Sequence, residues 1–364
     1  MQTTRYTPVP ILSRYVLRQF FGFFVPILLG FILLYLLVDG FSRMDILLRH
    51  NATLGASVRY FFFKIPLMVT QLTPPAVISS ILLAFATLAR HSEITALRAS
   101  GVSLLQTAVP LLVVAFGISA GALVWNETVV PYSSHEFQAI NNQEIRKRER
   151  VILGDRAIWY HGKAGFYNIE HVDKASQSIY GLTVYRVDDD YHLTGVVQVP
   201  LARWTDGGWR YAAGVEQFLT DGAFRVRPLP SDAPLLPEEL GDFLAIQREP
   251  EELSFLRLRA WIENLRQKGI DASHYMVDLH LKLALPFASL VLALVGIPIG
   301  GRVRRHPSVA AVIGLGIVVG FAYWVILALG NSLGQSGAIP PVVAAWSANV
   351  VFTLFGAALF LYLE

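Results

Sequence analysis

The chain has 364 residues, of which 54% are hydrophobic and 16% charged, with a mean hydropathy of +0.47 and a formal net charge of +3. That balance is too apolar for a soluble domain of this size, and the basic residues flank apolar runs instead of clustering with aromatics as a nucleic-acid surface requires. With no cysteine, disulfides, thiolate–zinc sites and thiol nucleophiles are excluded.

Six apolar runs are long enough to cross about 30 Å of hydrocarbon: Phe20 to Val38, Ile65 to Ala89, Val102 to Asn126, Leu283 to Gly301, Ser308 to Gly330 and Pro340 to Leu363. None contains Asp, Glu, Lys, Arg or His. The first exceeds a signal-peptide core and no small-x-small cleavage site follows it, so it is expected to be retained. Arg5, Arg14 and Arg18 precede the first run, Arg90 and Arg98 follow the second, and Arg302, Arg304 and Arg305 follow the fourth. Basic residues in short loops stay cytoplasmic, which places both termini inside and the segment between the third and fourth runs outside. The uncharged loop 331–339 falls on the outer side, whereas Arg43 and Arg49 run against the rule.

Pro66, Pro74 and Pro75 are expected to kink the second span. Gly296 with Gly300, and Gly316 with Gly320, have the spacing that lets helix backbones approach closely; packing within the chain is the plain expectation, a subunit interface the alternative. From about Pro131 to Pro250, short runs rich in Val, Ile, Tyr, Trp and Phe alternate with Gly and Asp turns. The strands expected are Ala157 to Tyr160, Gly165 to Val172, Ser178 to Val187, Gly195 to Trp204, Gly208 to Ala213, Val215 to Thr220 and Ala223 to Arg227. Such spacing indicates an antiparallel sandwich, barrel or jelly roll. Asp188, Asp189 and Asp190 fall between two strands and are expected to be a turn, not a metal site. From Leu253 to Lys268, Leu258, Trp261, Ile262 and Leu265 share one helix face.

An ion-coupled transporter keeps ionisable groups inside its spans, and these runs have none. There is no G-x-x-x-x-G-K-[ST] loop to cradle nucleotide phosphates. Uphill transport by this chain would therefore draw its energy from another protein, and the chain is not expected to be an enzyme or to hold a cofactor. Gly330, Asn331, Ser332, Leu333 and Gly334 spell G-x-S-x-G, but a nucleophile elbow needs a strand before the serine and a base within reach. A helix precedes this serine and the last span has no His, so an intramembrane serine protease is the weak enzyme rival.

Arg90 to Gly101 is too polar to span and is punctuated as a short cytoplasmic helix: Ser92 suits the N-cap, Glu93 the positive end of the dipole, Gly101 the C-terminal cap. It is either a solvated loop helix or a docking element for an ATPase, with Ile94 and Leu97 as apolar anchors, Glu93 pairing with a base, and Arg98 beside them.

The order of three spans, a strand-rich domain and three spans, together with S-E-I-T-A-L-R-A-S-G at Ser92 to Gly101, resembles the lipopolysaccharide export permease family, LptF/LptG. Arg14-Tyr15, Val38-Asp39, Trp159-Tyr160, the stretch Phe166 to Glu170 and the helix Leu253 to Gly269 extend the likeness over nearly the whole chain, and the outer-domain pieces are most similar to the LptG branch. The resemblance implies an α-helical membrane protein of six spans (3+3) with an inserted periplasmic β-jelly-roll domain: residues 1–130 carry an interfacial N-terminal segment, three spans and the coupling helix, 131–250 the jelly roll, and 251–364 an amphipathic helix and three spans. It implies the permease subunit of an ABC exporter in the Gram-negative inner membrane, paired with an LptF-like permease over an LptB-like ATPase dimer that holds ATP and Mg²⁺. An LptC-like single-span protein and an LptA-like periplasmic bridge would receive the lipopolysaccharide. The resemblance assigns Glu93 to pairing with the ATPase. The family also places basic residues near the outer end of the first helix, where they meet lipid phosphates. Arg43 falls at one such position, Leu36 and Ser42 occupy its neighbours, and Arg49, Arg59 and Lys64 are the compensating candidates; simple anchoring at the interface is the alternative for each. A non-transporting membrane scaffold for a periplasmic partner is the remaining rival.

Overall fold

The structure is a computed structural model that describes residues 10–50, 52–145, 158–162, 165–173, 176–187, 192–205, 208–220, 223–231, 233, 235–236, 253–267, 272–302 and 308–362. Six helices in it are long and apolar enough to cross a membrane, and an antiparallel sheet is inserted between the third and the fourth of them. The described elements are α1 (Pro10–Arg49), α2 (Leu54–Arg90), the short α3 (Glu93–Ala99), α4 (Leu104–Ile140), strands β1 to β7, α5 (Phe255–Gln267), α6 (Ser273–Ala284), α7 (Ala288–Gly300), α8 (Val309–Gln335) and α9 (Pro341–Leu361). Helices α6 and α7 make one crossing, joined by a 3-10 turn at Leu285–Phe287.

Local signals set the helix starts. Thr53 accepts from Ala56 N–H at the head of α2, Ser308 from Ala311 N–H at the head of α8, and Ser103 with Gln106 closes a reciprocal capping box on α4. The helices overrun the apolar runs. At 40 residues for α1 and 37 each for α2 and α4, they reach about 55–60 Å at 1.5 Å per residue, twice the hydrocarbon thickness. The overhangs therefore carry charge: Asp39, Arg43, Lys64 and Glu127 stand on the same helices as the apolar runs, and the fourth crossing begins near Tyr275, taking in Asp278, His280 and Lys282. Residues 131–140, read from the sequence as the start of the outer domain, are the last turns of α4.

Helix α2 is the hub of this unit. It continues as one α-helix through Pro66, Pro74 and Pro75, and from Thr73 to Phe85 every side chain is buried. Small residues on its neighbours let it be surrounded. An added Cβ at Gly296 would lie 2.9 Å from Ile78, at Gly300 2.8 Å from Phe85, at Gly320 3.0 Å from Pro75 and at Gly316 2.9 Å from Ser79 Cα. Both glycine pairs thus serve packing within the chain. One buried polar chain is closed across helices, as hydrocarbon favours: Tyr323 Oη donates to Asn349 Oδ1 (2.8 Å), whose Nδ2 donates to the Ala284 carbonyl (2.8 Å) at the 3-10 turn. Glu127, on the overhang of α4, accepts from the N–H groups of Phe255 (2.7 Å) and Leu256 (3.3 Å), placing a carboxylate on the positive end of α5. The face of α5 carrying Leu258, Ile262 and Leu265 is buried, as the spacing predicts.

The strand unit takes residues 142–249 with 267–270. Its strands are β1 (Ile158–Gly162), β2 (Gly165–Asp173), β3 (Ser178–Val187), β4 (Leu193–Thr205), β5 (Gly208–Ala212), β6 (Val215–Thr220) and β7 (Ala223–Pro228), close to the sequence expectation throughout. They form one antiparallel sheet in the order β1-β2-β3-β4-β6-β7, with β5 paired to the far half of β4. Tyr167, Ile169, Leu182, Val184, Val197 and Val199 form one buried layer with Leu235 and Leu236. The alternation changes phase between Leu182 and Ile179, and between Val199 and Ala202 opposite them, so both strands turn their apolar face at the same level. Gly181 sits there with φ +61°, against the Glu170 carboxylate, where a side chain would be strained and blocked. On β6, between β4 and β7, Glu216 is buried and takes both Arg186 and Arg227 at 2.6 Å. Asp188, Asp189 and Asp190 lie outside the described residues.

Gly316→Val should lower stability by about 1–3 kcal/mol, because the added methyls must push Ser79 and α2 aside. Gly314→Val, where an added Cβ meets nothing within 4 Å, should leave thermal unfolding of the detergent-purified protein unchanged; equal loss in both variants would contradict the packing argument.

Candidate functional site

Two polar contacts fasten α1 to the bundle at opposite ends. At the end carrying α3, the Tyr15 hydroxyl donates to Glu93 Oε2 (2.8 Å) and Oε1 (3.0 Å). At the other end Asp39 accepts from Lys64 Nζ (Oδ2, 2.7 Å) and Arg43 Nε (Oδ1, 3.3 Å). Tyr15 and Asp39 are about 36 Å apart along the helix at 1.5 Å per residue, close to the thickness of a hydrocarbon core.

Helix α3 is short and tightly ended. Ser92 adopts φ +60° and gives its carbonyl to Ala96 N–H; a side-chain N-cap needs an extended backbone, so the capping expected of Ser92 is not made. Gly101 takes φ +83° and Val102 N–H bonds to the Leu97 carbonyl (2.9 Å), the closing bond of a Schellman end. Ile94 packs against the bundle cluster that includes Val16, Phe20, Ile81 and Phe85. Ile94 is thus directed at least in part toward the bundle. Leu97 is half-buried, Thr95 and Ala96 are exposed, and the Arg98 side chain lies outside the described residues. The partner of Glu93, Tyr15, was visible in the sequence only as part of Arg14-Tyr15.

Of the basic residues expected at the other end, the structure brings two together. Lys64 is 7% exposed and lies 5.5 Å from the Tyr35 ring and 5.7 Å from the Tyr60 ring; the Arg43 guanidinium sits 4.9 Å over Tyr60. Such distances favour cation–π attraction. Two cations share one carboxylate. Arg49 is exposed and paired with Asp45 (2.7 Å), and Arg59 is exposed on the first turns of α2. Asp39, Tyr35 and Tyr60 were missed as members of this cluster. The signal available was a carboxylate just past the first apolar run and a lysine just before the second.

Between them, the apolar face of α1 is outward: Phe21, Val25, Leu29, Leu33 and Leu37 are all exposed. The G-x-S-x-G stretch is helical, since α8 runs to Gln335, beyond the loop start expected at Asn331. Its glycines admit other helices. Cβ atoms at Gly330 and Gly334 would meet Ser347 and Ala344 of α9, and the strand–turn–helix geometry of a nucleophile elbow is absent there.

Asp39→Ala should destabilise the protein by about 3–5 kcal/mol, the usual cost of leaving a buried charge without its partner. Adding Lys64→Met should restore most of that loss in unfolding followed by intrinsic tryptophan fluorescence; strictly additive losses would show that the pair is not coupled.

Comparison with known proteins places this arrangement. Residues 14–362 match the family described as lipopolysaccharide export system permease LptF/LptG. The lipopolysaccharide export system permease protein LptG of Escherichia coli (strain K12) is 24% identical over 315 residues, covering 83% of this chain and 84% of that protein. The protein of the same name from Haemophilus influenzae (strain Rd) is 20% identical over 351 residues, covering 94% of this chain and 95% of its own. Tyr15 and Asp39 of α1, the short α3, the inserted sheet and the last five crossings fall within the matched region, and the chain belongs to the LptF/LptG family of lipopolysaccharide export permeases.

Proposed function

We propose that the chain is an LptG-like permease subunit of an ABC transporter in a Gram-negative inner membrane, extracting lipopolysaccharide from the outer leaflet and handing it to a periplasmic bridge. The observation that carries this reading is the double fastening of α1: Tyr15 to Glu93 at one end, Asp39 to Lys64 about one bilayer thickness away. In this reading both termini are cytoplasmic and the strand domain is periplasmic. An LptB-like ATPase dimer presses on α3, and an LptF-like permease completes the cavity. LptC-like and LptA-like proteins accept the lipid. The chain has no phosphate-cradling loop, so ATP and Mg²⁺ belong to the partner ATPase.

Displacement of α3 is passed to α1 because the Tyr15–Glu93 bond and the packing of Ile94 against the bundle make the two move together. Helix α1 then carries the motion to its far end. There Arg43 and Lys64 are held ready by Asp39. A lipid phosphate offers more acceptor oxygens and more charge than one carboxylate, and charge-assisted bonds to it are strong, so it displaces Asp39 from its cations. Arg49 and Arg59, exposed at the same end, attract the headgroup. The outward apolar side chains of α1 face the acyl chains.

Glu93→Lys should abolish copurification of the ATPase while leaving the unfolding temperature within a few degrees of the parent, since Glu93 is on an exposed bond. Tyr15→Phe should keep the ATPase bound but slow lipid release from proteoliposomes by about tenfold, the equivalent of one charged hydrogen bond of roughly 1.5 kcal/mol. ATPase recovered at the parental level with Glu93→Lys would overturn the coupling role.

A further inference from the structure

At the same end of the bundle as Lys64, three consecutive side chains of α4 tie it to two other helices. Trp125 Nε1 donates to the Pro66 carbonyl of α2 (3.2 Å), and Asn126 Oδ1 accepts from Thr70 Oγ1 of the same helix (2.9 Å). Glu127 accepts from the N–H groups of Phe255 (2.7 Å) and Leu256 (3.3 Å) at the head of α5. Successive side chains leave a helix about 100° apart, so Trp125 and Glu127 depart from nearly opposite sides of α4. Lys64, two residues before Pro66 on α2, donates to Asp39 of α1 (2.7 Å). A continuous route of side-chain bonds therefore runs from α1 through α2 and α4 to α5.

The last link of this route is a helix cap supplied from a distance. The first N–H groups of a helix have no acceptor within it, and at α5 the local cap takes one of them, Ser254 Oγ accepting from Arg257 N–H (3.4 Å). Those of Phe255 and Leu256 go to a carboxylate 128 residues earlier, whose charge suits the positive end of the helix. Water serves such donors at an exposed helix start, and Leu256 is 66% exposed, so the consequence of the bond is positional: it fixes where α5 begins against α4. A cleft of about 250 Å³ lined by Leu123, Phe255, Leu256 and Leu283 lies beside the contact, which leaves the carboxylate, and not close packing, to hold it. Further along α5 the Trp261 ring meets Tyr275 at the head of α6 (4.4 Å between centroids), and residues 267–270, where α5 ends, are grouped with the strand unit. We propose that Glu127 is a positioning residue for lipid handover, the link through which displacement of α1 and α2 reaches α5 and the chain that joins the strand unit. This role rests on the permease reading and carries it past the far end of α1.

The test uses the full chain with its copurifying partners in proteoliposomes. Because the chain has no cysteine, nitroxide labels can be placed through Val124→Cys on α4 and Arg259→Cys on α5, both exposed, with the unsubstituted complex as background. Distances between the labels should form one narrow distribution in the parent and a broader one in both Glu127→Leu, which removes the acceptor, and Phe255→Pro, which removes a donor at a position where a helix accepts proline. Glu127→Gln keeps a side-chain acceptor and should restore the narrow distribution. In unlabelled complexes Glu127→Leu and Phe255→Pro should lower lipopolysaccharide release per ATP hydrolysed about tenfold, with ATP hydrolysis unchanged, and Glu127→Gln should bring it back near the parental value. A narrow distribution in both disrupting variants, or parental release per ATP in both, would overturn the assignment and leave the permease reading standing. So would equal losses of ATP hydrolysis and release, which would reduce Glu127 to a stabilising contact. Absence of release from the parent would overturn the permease reading and this inference with it.

Discussion

Polar groups in hydrocarbon must be paired or carried to its edge, and α1 shows what that constraint does to a helix on the outside of a bundle. Phe20, Phe23, Phe24 and Ile27 pack its inner side against the bundle, an association that hydrophobicity alone does not favour, because lipid is as apolar as a neighbouring helix. What holds it are groups at the two interfaces: a tyrosine–carboxylate bond at one end and a carboxylate shared by two cations at the other. With a polar contact at each end and apolar packing along its inner side, α1 keeps its outer face exposed over much of its length.

Helix α2 solves the opposite problem. It is surrounded, and it is surrounded closely because Gly296, Gly300, Gly316 and Gly320 remove the side chains that would hold its neighbours off. Three prolines leave backbone carbonyls of this central helix without their helical donors. Trp125 Nε1 of α4 donates to the Pro66 carbonyl (3.2 Å) and ties the two helices together. Thr70 and Gln71 line a cavity between helices.

The strand unit is built on different physics, since water is its solvent in the proposed topology. One apolar face forms its core, and the shared change of phase in β3 and β4 keeps that face continuous across a bend. Gly181 permits the bend. On β6 a charge enters this face, and Glu216 pairs there with two arginines.

The sequence by itself determined the six crossings, the inserted strands nearly to the residue, and the punctuation of α3 by Gly101, because hydropathy, alternation and glycine conformation are local properties written in consecutive residues. It also marked Glu93, Arg43 and Lys64 as unusual. Only the tertiary structure decided that Glu93 is held by a tyrosine 78 residues away, that Lys64 is held by Asp39 25 residues before it, that Ile94 packs against the bundle, and that the glycines around Ser332 are helix contacts. It also extended the helices past the apolar runs, since an overhang is stabilised by partners on other helices and not by its own hydropathy. Which polar groups meet depends on how helices are rotated and staggered against one another, and that is set by contacts distant in sequence, which no local pattern encodes.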